Sequence, residues 1–234
     1  MKDTNRNGMF SSSNIAALMK NGRGKDSYGV PFYSLVKEKR RERRAGQSMG
    51  NDARHTPADW GNMCESIAHE HLPLDYQLVS NDGRLYHELL PWCGVPDGFK
   101  DEDTVTDIKC PFTLTSFFNI LEAVEGLEPD GIAAALLEAC EEYFWQLISN
   151  AILSNRSKCE LILFMPKKSM IEDIQQVSKD SDLYWFHMKN VNEMPWTADD
   201  SDIPVITIIK FDATDELKKQ LTDRVEAASE LLLA

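Results

Sequence analysis

The stretch GVPDGFKDEDTVTDIKCPF, residues 94–112, decides the fold. It holds Pro96-Asp97-Gly98, then a short and highly charged turn, then the triplet Asp107-Ile108-Lys109. Side chains alternate faces along a strand, so Asp107 and Lys109 share one face while Ile108 points into a core on the other. Val105 and Ile108 fall on opposite faces, which predicts a strand buried on both sides. A chain that folds back at residues 100–103 brings Asp97 beside Asp107. Two carboxylates and an ammonium then converge, and buried charges need partners or a metal. Such a group can hold a hard divalent cation and aim a water at a phosphate. Each part has a plainer reading alone. Pro-Asp-Gly is a common turn whose Asp caps its own backbone, and Asp107 with Lys109 can be an ordinary charge pair on a solvated strand. Their combination in one hairpin is the specific signal.

Outward from this hairpin, residues 76–109 read as strands interrupted by Gly83, Pro91, Gly94 and Gly98. Further strands are predicted at 160–165, 183–188 and 205–211. Helical spacing appears at 11–20, with Ser or Asn at the N-cap and Ile15, Leu18 and Met19 inward. It recurs at 31–44 after Pro31, at 57–72, at 112–121 and at 132–153 beyond a turn at 127–131. Residues 214–233 close the chain as an amphipathic helix, and 47–56 read as a loop. No repeat or low-complexity linker divides these elements. The expectation is one α/β domain over residues 1–234, a mixed central sheet flanked by helices, with a basic helical part at 1–54.

On the helix at 57–72, Trp60, Met63, Cys64 and Ile67 form an apolar stripe, and Glu65 lies roughly 140° from Trp60. Alone it reads as a solvent-facing Glu. Its neighbours Gly61 and Ala68 are unusually small, however, and a glycine in a helix interior costs about 0.5–1 kcal/mol relative to alanine. Something, backbone or ligand, is expected close to Glu65. On the helix at 138–153, Tyr143, Gln146 and Asn150 form a polar edge beside Phe144, Leu147, Ile148 and Ala151. It is either surface polarity or a Gln that donates to the carboxylates. His69 and His71 lack the spacing of a zinc pair, and His55, His87 and His187 are isolated.

The chain of 234 residues has a net charge of −13, which argues against a nucleic-acid partner until its distribution is seen. Residues 1–54 carry twelve Lys/Arg against five Asp/Glu, a charge of +7, and the remainder carries −20. Lys20, Arg23, Lys25, Arg40, Arg41, Arg43 and Arg44 form a local electrostatic footprint for a phosphate backbone, or a solvated helix face. Five cysteines, an odd number with no CxxC pair, argue against a disulfide framework or a tetrathiolate metal site and fit a reducing compartment. A polar first thirty residues and the lack of a long apolar run predict neither signal peptide nor membrane anchor.

Taken together, Gly61-x-x-x-Glu65, Pro96-Asp97-Gly98, Asp107-Ile108-Lys109-Cys110-Pro111-Phe112 and Tyr143-x-x-Gln146 resemble the PD-(D/E)xK nuclease superfamily. More narrowly, Trp60-Gly61 and the Lys-Cys-Pro-Phe ending resemble the lambda-exonuclease/YqaJ-like recombinase family. Arg6-Asn7-Gly8-Met9-Phe10-Ser11-Ser12-Ser13 is similar to that family's 5′-phosphate segment. The family often has Glu where this chain has the shorter Asp107. The resemblance implies a restriction-endonuclease-like core. It implies two Mg²⁺ ions, with Mn²⁺ as substitute, on Glu65, Asp97, Asp107 and the Ile108 carbonyl. Lys109 would orient or deprotonate water, Gln146 would steady the site, and Arg6 with Ser13 would bind the 5′-phosphate.

The implied activity is 5′→3′ digestion of one strand of duplex DNA to mononucleotides, leaving a 3′ overhang. A single-strand annealing protein, a trimeric ring and the bacterial cytoplasm are the implied partner, assembly and location. Two other readings compete. A RecB- or Cas4-like nuclease with an iron–sulfur cluster needs clustered C-terminal cysteines, and none lies beyond Cys159. A non-catalytic DNA-end binder is opposed by the intact Asp97, Asp107 and Lys109.

Overall fold

The computed structural model describes residues 6–24, 27–49, 56–80, 82–180 and 194–233. Eight strands are described: β1 (Phe10–Ser11), β2 (Gln77–Leu78), β3 (Leu85–Tyr86), β4 (Trp92–Gly94), β5 (Gly98–Phe99), β6 (Thr104–Lys109), β7 (Lys158–Phe164) and β8 (Ile206–Asp212). The larger sheet has the order β2-β5-β6-β7-β8, with β6 and β7 parallel and the other pairs antiparallel. Its register sets Asp107 opposite Leu161 and Lys109 opposite Leu163. In the smaller sheet β4 lies between β1 and β3, with Phe10 opposite Trp92. β4 therefore carries the chain out of the small sheet and, through Pro96-Asp97, into the large one.

Alternation along the strands builds two cores. Val105, Leu161, Leu163, Ile209 and Phe211 face one side, where α2 (Val30–Ala45), α6 (Glu141–Leu153) and α8 (Asp215–Leu233) supply Phe32, Phe144, Leu147 and Leu221. Ile108, Ile162 and Phe164 face the other, covered by Trp60, Met63, Cys64 and Ile67 of α3 (Thr56–Glu70) and Ile174 of α7 (Ile171–Asp180). Two-sided burial of β6 is thus met: Val105 and Ile108 are both buried, in different cores. A mixed sheet flanked by helices is the architecture expected from the sequence. Among the described residues no helix is long and apolar enough to cross a membrane.

The parallel β6–β7 step needs a crossover, and α4 (Leu114–Val124), α5 (Pro129–Ala139) and α6 provide it. Thr113 starts α4 by accepting from Ser116 N–H at 3.0 Å. The helix expected over 132–153 is two helices. Cys140 leaves helical geometry at φ −149° and ψ 58°, its N–H still donating to the Leu136 carbonyl while its own carbonyl starts α6. The predicted turn at 127–131 already contains the first turn of α5, because Pro129 needs no amide partner there. The start expected at 11–20 divides as well. Phe10-Ser11 is drawn into a strand by β4, a 3₁₀ turn follows at Ser12–Asn14, and the helix α1 is only Ala16–Met19. Helix α7 was not anticipated, although Ile171, Ile174 and Val177 recur at helical spacing. The strand expected at 183–188, and most of the loop at 47–56, lie outside the described residues.

Candidate active site

Asp97 stands where the chain enters β5, and its Oδ2 accepts from Ile108 N–H at 2.6 Å. The reason is register. Peptide groups alternate edges along a strand, and the Thr104 carbonyl accepts from Lys100 N–H at 3.3 Å on the β5 side. Thr106 and Ile108 therefore face that edge too. β5 ends opposite Thr106, at Gly98. The peptide groups of Ile108 run past it, and the Asp97 carboxylate takes the place of a partner strand. The Ile108 carbonyl is turned to the same edge.

On the α6 side, Asp107 is fully buried. Its Oδ1 accepts from Gln146 Nε2 at 3.0 Å, and its Oδ2 lies 2.6 Å from Lys109 Nζ. Lys109 also stands 5.4 Å from the centre of the Tyr143 ring, within cation–π range. The solvated-pair reading of Asp107 and Lys109 fails: they are a buried pair on one strand face. Burial disfavours the Lys109 charge, but Asp107 and then Asp97 overcome it and hold the ammonium well above the usual lysine range. Burial pushes the Asp97 carboxyl well up, and the nearby Asp107 charge adds to this despite Lys109 and the Ile108 amide. Glu65, half-buried on α3, is also raised, by burial first, with Lys109 opposing and Asp107 adding.

Glu65, Asp97, Asp107, Ile108, Lys109 and Gln146 are therefore brought to one place. Three carboxyl groups crowd one ammonium, and the raised Asp97 and Glu65 reflect in part a mutual repulsion that a cation would relieve. The donor set is all oxygen, which fits Mg²⁺ or Mn²⁺. Among the described residues no three His, Cys, Asp or Glu side chains are already drawn into a ligand cage.

Of the two groups expected beside Gly61 and Glu65, backbone or ligand, no described backbone approaches Gly61. Among the described residues nothing lies within 4 Å of the point where a Cβ would stand. The polar edge of α6 is interior rather than surface at its far end. Ser149 and Asn150 are fully buried. Ser149 Oγ lies 2.7 Å from Ser12 Oγ and accepts from Trp92 Nε1 at 2.8 Å, tying α6 to the N-terminal turn and β4. Asn150 packs on Gly94, where a Cβ would stand 2.6 Å from its Oδ1 and 2.1 Å from Ser12 Oγ. Asn150 was visible in the sequence as a polar residue on a helix edge, but nothing local marked Ser12 or Ser149.

Arg6 borders a cleft together with Ser11, Asn14, Lys39 and Cys93. Ser13 does not line it; it is exposed, with its Oγ 3.0 Å from Ser11 Oγ. An extended chain spans at most about 3.6 Å per residue, so Cys93 lies within about 14 Å of Asp97. Lys39 is buried and paired with Glu42 at 3.1 Å and Glu38 at 3.0 Å, so the cationic character of the cleft rests on Arg6. Ser11 and Asn14 line the cleft without standing out as candidate ligands in the sequence. Their one sequence signal is that they bracket a turn, where the Ser11 amide donates to Asn14 Oδ1 at 3.0 Å.

The basic cluster divides. Arg40 donates to the Leu231 carbonyl near the end of α8, and Arg43 Nε donates to the Gly8 carbonyl at 3.1 Å. Arg41 and Arg44 are exposed, as is Arg23 in its turn. Lys20 pairs with Glu141, and Lys25 lies outside the described residues.

No protein-family model matches the sequence, and no curated protein matches it. Solved structures do match. The fold is similar to an alkaline exonuclease, LHK-Exo, from Laribacter hongkongensis, with a TM-score of 0.62, 17% identity, and coverage of 97% of this chain and 89% of that one. LHK-Exo in complex with dAMP gives 0.63 at 14% identity, covering 98% and 90%. A phage-related exonuclease from Haemophilus somnus 129PT gives 0.62 at 16%, covering 96% and 93%. At these identities the likeness is one of fold, and it extends over nearly the whole chain.

Proposed function

We propose that the chain is a Mg²⁺-dependent exonuclease that digests one strand of duplex DNA 5′→3′, releasing mononucleotides and leaving a 3′ overhang. The observation that carries this reading is the convergence of Glu65, Asp97, Asp107 and Lys109 at the open edge of β6. A fold shared with solved exonucleases supports it. Glu65, Asp97, Asp107 and the Ile108 carbonyl would hold two Mg²⁺. Such ions, when bound, neutralise the phosphate and stabilise the attacking and leaving oxygens of an in-line displacement.

The chain's own groups have distinct tasks. Ile108 N–H fixes the Asp97 carboxylate, and Gln146 fixes that of Asp107. Lys109 would orient the attacking water or take its proton: in the metal-free protein Asp107 and Asp97 hold it protonated, and cations bound to those carboxylates would oppose that hold. Arg6, with the serine-rich turn at 11–13, would receive the 5′-phosphate, and exposed Arg23, Arg41 and Arg44 would follow the duplex backbone. A single-strand annealing protein on the overhang, a ring of three copies and a place in the bacterial cytoplasm complete the proposal.

Digestion of 5′-phosphorylated, 5′-hydroxyl and circular duplexes with Mg²⁺ tests it. We expect mononucleotides from linear DNA, a preference for the 5′-phosphate and an intact circle. Cutting of the circle would favour another PD-(D/E)xK nuclease of RecB/Cas4-like type. End binding with no cleavage of any substrate would favour a non-catalytic end binder.

A further inference from the structure

Gly61 lies in the interior of α3, where alanine would be the better helix former. Glycine in such a position is explained when another group approaches the bare backbone. No described part of the protein does so: nothing is within 4 Å of the missing Cβ. The helix is not free to roll and close that space, because Trp60, Met63, Cys64 and Ile67 pin its other side into the core beneath Ile108. Gly61 and Glu65 are four residues apart and share a face. Helical side chains lean toward the N-terminus, so Glu65 projects along the face that carries Gly61 without filling the space beside it. The open space thus lies on the helix face that carries Glu65, one of the three carboxyls of the acidic group.

We infer that Gly61 forms the floor of the substrate channel, with the sugar–phosphate backbone of the strand being cut lying against its bare main chain. The occupant follows from the chemistry of the neighbourhood. Carboxylates with their cations call for a phosphodiester, and a side chain at Gly61 would take the room such a backbone needs. This inference rests on the nuclease reading and adds a positioning residue to it.

Gly61→Ala and Gly61→Leu in the full chain test it through three readouts besides digestion. Thermal unfolding without metal should show both variants folded, with Ala melting at or above wild type. Mn²⁺ titration without DNA should give affinities within about twofold of wild type, since no ligand is altered. Binding of a 5′-phosphorylated duplex end in Ca²⁺ should weaken in graded order. Leu should lose at least about tenfold, as a steric clash of that size does, and KM in Mg²⁺ should rise in step.

Leu binding ends as tightly as wild type would overturn the inference, leaving the space to solvent. A fall in Mn²⁺ affinity parallel to the loss of DNA binding would also overturn it, assigning the glycine to Glu65 and the cations. A wild-type protein that binds no duplex end would overturn the nuclease reading itself and this inference with it, and the wild-type control separates that case from the other two.

Discussion

Lys109→Met should cost the metal-free protein stability as well as activity. Asp107 is fully buried, and the Lys109 side chain is only 17% exposed. One Asp107 oxygen is held by Gln146 and the other faces the ammonium at 2.6 Å. Methionine keeps most of the aliphatic stem and removes the charge, leaving a buried carboxylate with one neutral donor. Removing one partner of a buried pair costs about 3–5 kcal/mol. The small exposure of Lys109 admits some water, so we take the low end, about 3 kcal/mol. With m near 2–3 kcal/mol/M, the urea midpoint should fall by about 1–1.5 M. Adding Asp107→Asn removes the stranded charge and keeps an acceptor for Gln146, so the double variant should recover most of the loss while remaining inactive. Urea titrations followed by circular dichroism, in chelator, measure the cycle. A loss below about 1 kcal/mol in Lys109→Met, or a double variant no more stable than the single, would refute the buried-pair argument.

Three further outcomes are expected. Because burial and Asp107 raise the Asp97 carboxyl, the folded metal-free protein binds a proton that the unfolded chain releases, so this group's stabilising contribution is lost as pH rises from the unfolded carboxyl range through the raised folded value. Asp97→Asn should therefore make the metal-free protein more stable than wild type at pH 7, and by a smaller margin at pH 5, while abolishing cleavage; urea midpoints at pH 5 and 7 with a digestion assay check both. Arg6→Ala should erase the preference for 5′-phosphorylated over 5′-hydroxyl duplex, a charge-assisted contact of about 1.5–3 kcal/mol being roughly ten- to a hundredfold in rate at limiting enzyme. Replacing Arg41 and Arg44 by Gln should flatten the salt dependence of DNA binding by up to about two in slope without lowering the melting temperature, whereas Arg40→Gln or Arg43→Gln should cost about 1 kcal/mol of stability through the lost carbonyl contact.

Much of this site is legible because its parts are local. Asp97 and Asp107 belong to one hairpin, and the period of two along residues 104–109 sorts Asp107 and Lys109 from Ile108 without reference to the rest of the chain. Helical periodicity likewise sets the buried stripe of α3 and the edge of α6 that carries Gln146. The break at Cys140 is not legible, since no glycine or proline interrupts the helical pattern there. It arises because α5 and α6 must pack against different neighbours on the way from β6 to β7. Helix α7 is short, and its three apolar positions make a weak signal.

What tertiary structure alone decides is partnership. Arg40 and Arg43 are indistinguishable in sequence from Arg41 and Arg44, and all four are exposed, yet Arg40 and Arg43 are tied to carbonyls far along the chain, at Leu231 and Gly8. Asn150 reads as surface polarity and Ser149 carries no local signal, until Ser12, Trp92 and Gly94 are brought against them. The open space at Gly61 is of the same kind, because only the arrangement of neighbours shows that none of the described residues arrives. Periodicity follows from the covalent geometry of a single segment, so residue order suffices to reveal it. Which polar group meets which across the fold is set by how segments distant in sequence pack, and no local pattern encodes that.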